Sequence, residues 1–351
     1  YFSTINSKII LLYTDNQSAP EKNMFKSLVI NKNDSQGYHT SIEELSEDSL
    51  TDGNVLIKVL YSTINYKDAL AITGKAPVIR RFPMIPGIDL VGVVEQCDND
   101  KFNIGDHVLL NGFGVGEKYL GGLSQKARIK SEFLIPLPET ITPYNAMAIG
   151  TAGYTAMLCV IALENHGITP ESGNILVTGA TGGVGSFAIR ILAELGYSIT
   201  ASTGSDEQAA YLKKLGAKEI IDRAELSAPG KPLMPERWAA AIDSVGSTTL
   251  ANVCASINYG GCVAACGLAQ GMDFPSTVAP FILRGVSLLG IDSVMRSQED
   301  RLEAWSRLEQ TKLADKIEQI STTVGLDEAT AIAEKLLNGE ITGRVVVDVN
   351  A

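Results

Sequence analysis

Histidine and cysteine are scarce, at three and five among 351 residues. The cysteines, Cys97, Cys159, Cys254, Cys262 and Cys266, are odd in number and scattered, mostly inside apolar runs. Cys262-x-x-x-Cys266 has neither a metal-binding nor a redox spacing, and His39, His107 and His166 lie far apart. This pattern reads as reduced thiols in a cytoplasmic protein. A surplus of positive charge is also missing. Lys and Arg number 29 against 40 Asp and Glu, a net charge of −11, so no nucleic-acid partner is expected. No apolar run is expected to reach membrane-spanning length, and no internal repeat or low-complexity tract is visible.

An apolar content of 45% and a charged content of 20% are ordinary for a globular enzyme, and the length allows two domains with substantial cores. Residues 1–23 read as an appended leader, and Met24-Phe25-Lys26-Ser27-Leu28-Val29-Ile30 as the entry into a first strand. Up to residue 150 the chain is rich in strand and turn signals. Val55–Tyr61, Leu90–Glu95 and His107–Leu110 read as strands, with helical character around Asp68–Ile72. From about Ala152 strands and helices alternate, which implies a parallel, doubly wound sheet. Expected helices are Tyr154–Glu164, the stretch up to Leu195, Asp206–Leu215 and the amphipathic Arg301–Ile320. Expected strands include Tyr197–Thr203, Trp238–Asp243, Gly261–Cys266 and Val286–Ile291. A last strand over Gly343–Val349 is expected to return to the first domain.

The stretch Ile175–Ala188, ILVTGATGGVGSFA, carries the chemistry. Ala180-x-Gly182-x-x-Gly185 fits the dinucleotide fingerprint G-x-G-x-x-G with alanine in the first slot. Small residues let a strand turn sharply into a helix and let the backbone approach a pyrophosphate. The helix N-terminus then offers N–H groups and a positive dipole end to the anion. An NAD enzyme usually carries an acid at the end of the next strand, for the ribose 2′-OH. That strand ends Ala201-Ser202-Thr203-Gly204-Ser205, without an acid, which permits NADPH. Asp206 competes for the role, but Ser205-x-x-Gln208 resembles a capping box and would make Asp206 a first-turn acid.

A β-rich first half, GATGGVG, an inserted nucleotide-binding unit and a returning C-terminus together resemble the medium-chain dehydrogenase/reductase superfamily. Asn65-Tyr66-Lys67-Asp68-Ala69-Leu70, Phe82-Pro83-Met84-Ile85-Pro86-Gly87-Ile88-Asp89, Ala148–Leu158 and Asn258–Leu268 are similar to its zinc-free branch of acryloyl-CoA reductases and quinone oxidoreductases. The resemblance implies an α/β protein: a GroES-like β-barrel catalytic domain over 24–150 and 295–351, and a Rossmann domain over 151–294. Zinc-dependent relatives carry Cys at the position of Asn65, His at that of Ile88 and a third ligand near Gly150-Thr151. Here those positions cannot supply three ligands, so no metal is expected.

Without a Lewis acid, alcohol oxidation is difficult, whereas hydride transfer to an activated C=C bond needs no metal. The resemblance implies an NADPH-dependent reductase of short 2-enoyl-CoA esters such as acryloyl-CoA. Alternatives are a quinone or enone reductase, and a non-catalytic NADPH sensor. Tyr66, Asn65 and Asp68 are the catalytic candidates, with Tyr66 facing the cleft and Asn65 able to donate through its amide. Thr181, Gly182, Gly183 and Val184 would hold the pyrophosphate. Thr203, Gly204, Ser205 and Arg223 would meet the 2′-phosphate. Leu268, Ile282 and Ser293 would approach the nicotinamide. Relatives often have Arg or Lys where this chain has Ser205, which would weaken the phosphate contact. Lys75, Arg80 and Arg81 form a cationic cluster that could meet CoA phosphates, or a solvated loop. A homodimer through the strand near Val286–Ile291 is expected.

Overall fold

The computed structural model describes residues 23–33, 37–311, 313, 317 and 319–351. The expected leader lies outside these residues except for Asn23. A hairpin of β1 (Met24–Asn33) and β2 (Gly37–Ser46) opens the described chain. Next come β3 (Val55–Thr63), α1 (Tyr66–Thr73), β4 (Asp89–Cys97), β5 (His107–Asn111), β6 (Lys126–Ile129) and β7 (Ile135–Pro136). The long helix α2 (Pro143–Asn165) leads to β8 (Asn174–Val177), α3 (Gly183–Glu194), β9 (Ser198–Thr203), α4 (Ala209–Leu215) and β10 (Glu219–Asp222). Then follow α5 (Ala224–Ser227), β11 (Trp238–Asp243), α6 (Ser247–Ser256), β12 (Ile257–Ala265), α7 (Ala279–Arg284) and β13 (Ser287–Gly290). The chain ends with α8 (Gln298–Gln310), β14 (Ser321–Gly325), α9 (Ala329–Leu337) and β15 (Arg344–Asp348).

Two main sheets result. The six-stranded sheet has the order β10-β9-β8-β11-β12-β13 and is parallel throughout. Its central strand β11 is buried along its whole length, as a strand covered on both faces must be, and its sequence WAAAID is nearly continuous in apolar residues. The seven-stranded sheet has the order β14-β15-β3-β4-β5-β7, with β6 also pairing β3. The last strand, β15, pairs antiparallel with β3, so the chain's end returns to the first half as expected. Ile57, Val59, Leu90, Val108, Leu110 and Val347 fill the core of this sheet.

The helix α2 corrects two expectations. It begins at Pro143, well before Tyr154, because Thr142 caps it and Pro143 fits its first turn. It is also long and apolar enough to cross a membrane, with a mean hydropathy of 1.8, although 83% of that stretch is buried inside the protein. A helix apolar on all sides suits a position between two sheets. Its residues share one core with Val91 and Leu109 of one sheet and Ile175 and Val177 of the other. Two other helices differ at their starts. The segment from Asp206 opens as a 3-10 turn, with the α-helix running Ala209–Leu215, so Ser205 does not begin an α-helix. The helix expected from Arg301 starts at Gln298, where the Ser297 hydroxyl accepts from the Asp300 N–H at 3.2 Å, and closes at Gln310.

Candidate active site

Where β8 ends, the chain turns through Gly179, at φ +57°, into α3. A side chain at Gly185 would place its Cβ 2.3 Å from the Gly179 carbonyl oxygen, so the turn closes only without one. Gly182 stands at the N-cap with no side chain to cap the helix. The first N–H groups of α3, over Gly183 and Val184, are therefore left for another acceptor. Thr181 is half-buried and Gly182 exposed, so this end is open to a ligand. Beneath the turn, Asp243 accepts from the Thr178 hydroxyl at 2.6 Å and from the Gly246 N–H at 2.8 Å. Burial pushes its carboxyl above the usual range. The tips of β8 and β11 are thereby tied together.

At the tip of β9, Thr203, Gly204 and Ser205 meet Arg223. The Arg223 backbone N–H donates to the Thr203 carbonyl at 2.9 Å. Its guanidinium crosses Gly204, where a Cβ would come 2.3 Å from Nε. Among the described residues, no carboxylate makes an ion pair with Arg223. An exposed cation thus stands where the sequence lacks one at Ser205.

The catalytic candidates cluster at the start of α1. Asn65 precedes α1, and Tyr66, the first residue of the helix, is 46% exposed. Asn65 itself is buried and fully engaged. Its Nδ2 donates to Asp89 at 2.8 Å and to Asp68 at 3.1 Å, and its Oδ1 accepts from Arg344 Nη1 at 2.9 Å. The expectation that Asn65 donates to a substrate is therefore corrected, because both amide hydrogens are already used inside the protein. Asp68 accepts the Asn65 and Ile88 backbone N–H groups at 2.9 and 3.0 Å. Burial pushes its carboxyl up to about 6, the Asn65 N–H pulls it back, and the nearby Asp89 charge pushes it up. Asp68 is 1% exposed, so it orients the start of α1 from below and does not reach the cleft surface.

Asp89, Asn111, Thr151, Thr63 and Arg344 complete this network, and sequence reasoning did not single any of them out as functional. Asp89 accepts from Asn65, from the Asn111 amide at 2.8 Å, and from the Thr151 N–H and hydroxyl at 2.8 and 2.5 Å. Arg344 is buried and donates to Ala148 O, Asn65 Oδ1 and Thr63 Oγ1. The only signal for it in the sequence is a charge at the head of the apolar run Arg344-Val345-Val346-Val347.

The remaining candidates are scattered. Leu268 is exposed and lies against Gly246, beyond the ends of β11 and β12. Ser293 is half-buried beside Gly112, where the two halves of the chain meet. Ile282 sits on α7 and is 72% exposed to solvent. In the cationic cluster, Arg81 is paired with Asp52, whereas Lys75 and Arg80 are exposed and make no ion pair among the described residues.

Known proteins fit this geometry. The family description "Alcohol dehydrogenase GroES-like domain" matches residues 51–139, and "Zinc-binding dehydrogenase" matches residues 183–310. The probable acrylyl-CoA reductase AcuI of Escherichia coli (strain K12) is 50% identical over 88% of this chain and 95% of its own. The chain belongs to the medium-chain dehydrogenase/reductase superfamily. Another member, the putative quinone oxidoreductase YhfP of Bacillus subtilis (strain 168), is 42% identical over 92% of this chain and 98% of its own. The crystal structure of the yhdH oxidoreductase from Salmonella enterica in complex with NADP superposes with a TM-score of 0.90. It is 48% identical and covers 92% of this chain and 99% of that one.

The zinc of the superfamily does not fit this member. Of the positions where zinc-dependent relatives hold their metal, Ile88 is apolar, while Asn65 and Thr151 are both bonded to its neighbour Asp89. The Asp89 oxygens already accept four hydrogen bonds, and the buried Arg344 guanidinium occupies the same space. A cation there would meet saturated oxygens and a second positive charge.

Proposed function

We propose that this chain is an NADPH-dependent reductase of short 2-enoyl-CoA esters of the acryloyl-CoA kind. The observation that carries the reading is Arg344, which packs under the uncapped glycine turn and bonds Asn65, the residue before the exposed Tyr66. NADPH, when bound, supplies a hydride to the β-carbon of the thioester. The N–H groups of Gly183 and Val184 hold the pyrophosphate. Arg223, with the Thr203 and Ser205 hydroxyls, holds the 2′-phosphate in place of the cation missing at position 205. Tyr66 donates a hydrogen bond to the carbonyl oxygen as enolate charge builds there. Asn65 and Asp68 hold the start of α1 so that Tyr66 presents its hydroxyl to the cleft. Leu268 and Ser293 border the nicotinamide side. The uncompensated Lys75 and Arg80 receive phosphates of CoA.

The open edge of the six-stranded sheet supports a two-fold dimer. β13 pairs only with β12 among the described strands, and Leu288 on it is exposed. A cytoplasmic location is part of the same proposal, and the five free cysteines support it.

The test compares acryloyl-CoA with a benzoquinone, and NADPH with NADH, in the presence of a chelator. Fast NADPH oxidation with acryloyl-CoA supports the proposal. Turnover with the quinone alone moves the assignment to a quinone reductase, the activity for which the Bacillus relative is named. Tight NADPH binding with no turnover on either acceptor supports a sensor.

A further inference from the structure

The last strand touches both halves of the site. The Gly343 N–H donates to the Thr181 carbonyl, inside the glycine turn, at 3.0 Å. The next residue, Arg344, sends its side chain directly under that turn. A Cβ at Gly183 would lie 2.8 Å from Arg344 Cδ and 3.3 Å from Nη1. Gly183 is thus packed on the arginine stem. The guanidinium then passes the kink in α2, where a Cβ at Gly150 would lie 2.7 Å from Nη2. It ends on Thr63 Oγ1 at 2.7 Å and Asn65 Oδ1 at 2.9 Å. Asn65 adjoins Tyr66 and bridges Asp68 and Asp89. One buried side chain therefore spans from the cofactor seat to the residue before Tyr66.

A guanidinium suits this role. It is planar, always charged, and offers five N–H donors in a fixed fork. Nε, Nη1 and Nη2 each meet an acceptor on a different segment: α2, the start of α1, and β3. Displacing any one of them leaves a buried donor unpaired. The three segments and the turn therefore move as one unit.

We propose that Arg344 is a positioning residue that couples occupancy of the glycine turn to the order of α1, so that the cofactor and Tyr66 enter the cleft in one fixed relation. The proposal rests on reading the turn as the cofactor seat and Tyr66 as the cleft residue.

The test is hydrogen exchange of the full chain with 2′-phosphoadenosine diphosphoribose, which carries the pyrophosphate but ends before the nicotinamide. In the native protein this probe slows exchange in peptides covering 179–186 and also in those covering 64–73, by about tenfold, within the usual range of coupling. In Arg344→Lys the first protection stays and the second is lost, with the probe's Kd changed less than about threefold. Lysine keeps the charge beside the two aspartates but lacks the fork. Asn65→Ala removes the acceptor at the far end of the link and gives the same split, so a failure of Arg344→Lys to fold leaves the question decidable. Protection of both peptides in both variants overturns the coupling, as does protection of 179–186 alone in the native protein. No protection at 179–186 in the native protein overturns the cofactor reading itself.

Discussion

The guanidinium of Arg223 lies across Gly204 so closely that a Cβ on the glycine would stand 2.3 Å from its Nε. The two residues act as a pair: the glycine leaves the space that the cation fills. Arg223→Leu removes the charge, and a charge-assisted contact of about 1.5–3 kcal/mol corresponds to roughly a ten- to hundredfold loss of affinity. The loss falls on NADPH, while NADH binding changes little. Gly204→Ala pushes the guanidinium aside and gives a smaller loss in the same direction. Titration by nicotinamide fluorescence measures both. Equal weakening of the two cofactors would remove Arg223 from the 2′-phosphate site.

Tyr66→Phe deletes one hydroxyl and keeps the ring. Loss of a hydrogen bond to a developing oxyanion costs on the order of 10²-fold in kcat. NADPH affinity should move far less. Single-turnover hydride transfer, set beside equilibrium binding, separates the two effects. An unchanged transfer rate would return Tyr66 to a structural role.

Asp68 predicts a pH effect on stability. Burial raises its carboxyl from 3.8 to about 6 in the folded protein. The folded state then binds the proton more tightly than the unfolded chain does. This contribution to stability is full below about pH 3.8 and is lost as the pH rises through about 6, at most about 3 kcal/mol in all. Asp68→Asn lacks the titration. The stability gap between native protein and variant should therefore be widest near pH 4 and narrow towards neutrality. Urea unfolding at several pH values reads this directly, and a constant gap would contradict it.

Gly150 sits inside α2 at φ 48°, ψ −158°, a region that residues with side chains avoid. A Cβ there would also meet Arg344 Nη2 at 2.7 Å and Asp89 Oδ2 at 2.8 Å. Gly150→Ala combines backbone strain of about 1–3 kcal/mol with disruption of the buried network. A drop in Tm of several degrees is expected, whereas Gly196→Ala, with open space around its Cβ, bears only the backbone part.

Local signals carried much of this architecture. The glycine turn is legible because strand, small residues and helix are consecutive, and the parallel sheet follows from regular alternation. Tyr66 was singled out from its neighbours in a family motif, and it is exposed at the start of α1. The network beneath it was not legible. Arg344 and Asn65 are 279 positions apart, and no periodicity reports a pairing across that distance. Asn65 looked available for donation because its partners, Asp89 and Arg344, arrive from other strands. The length of α2 was hidden for a different reason. It is apolar on every side, so it lacks the one-sided stripe that marks a surface helix.

The position of β15 has a consequence for synthesis. This strand lies inside its sheet, between β14 and β3, and carries Gly343's neighbour Arg344 into the site. The parallel sheet is complete by Gly290, so it can fold while the ribosome is still extending the chain. The cleft cannot. Its buried network waits for β15 to emerge and insert, and a nascent chain halted before Arg344 would display the parallel sheet with Asn65 and Thr63 lacking their guanidinium partner.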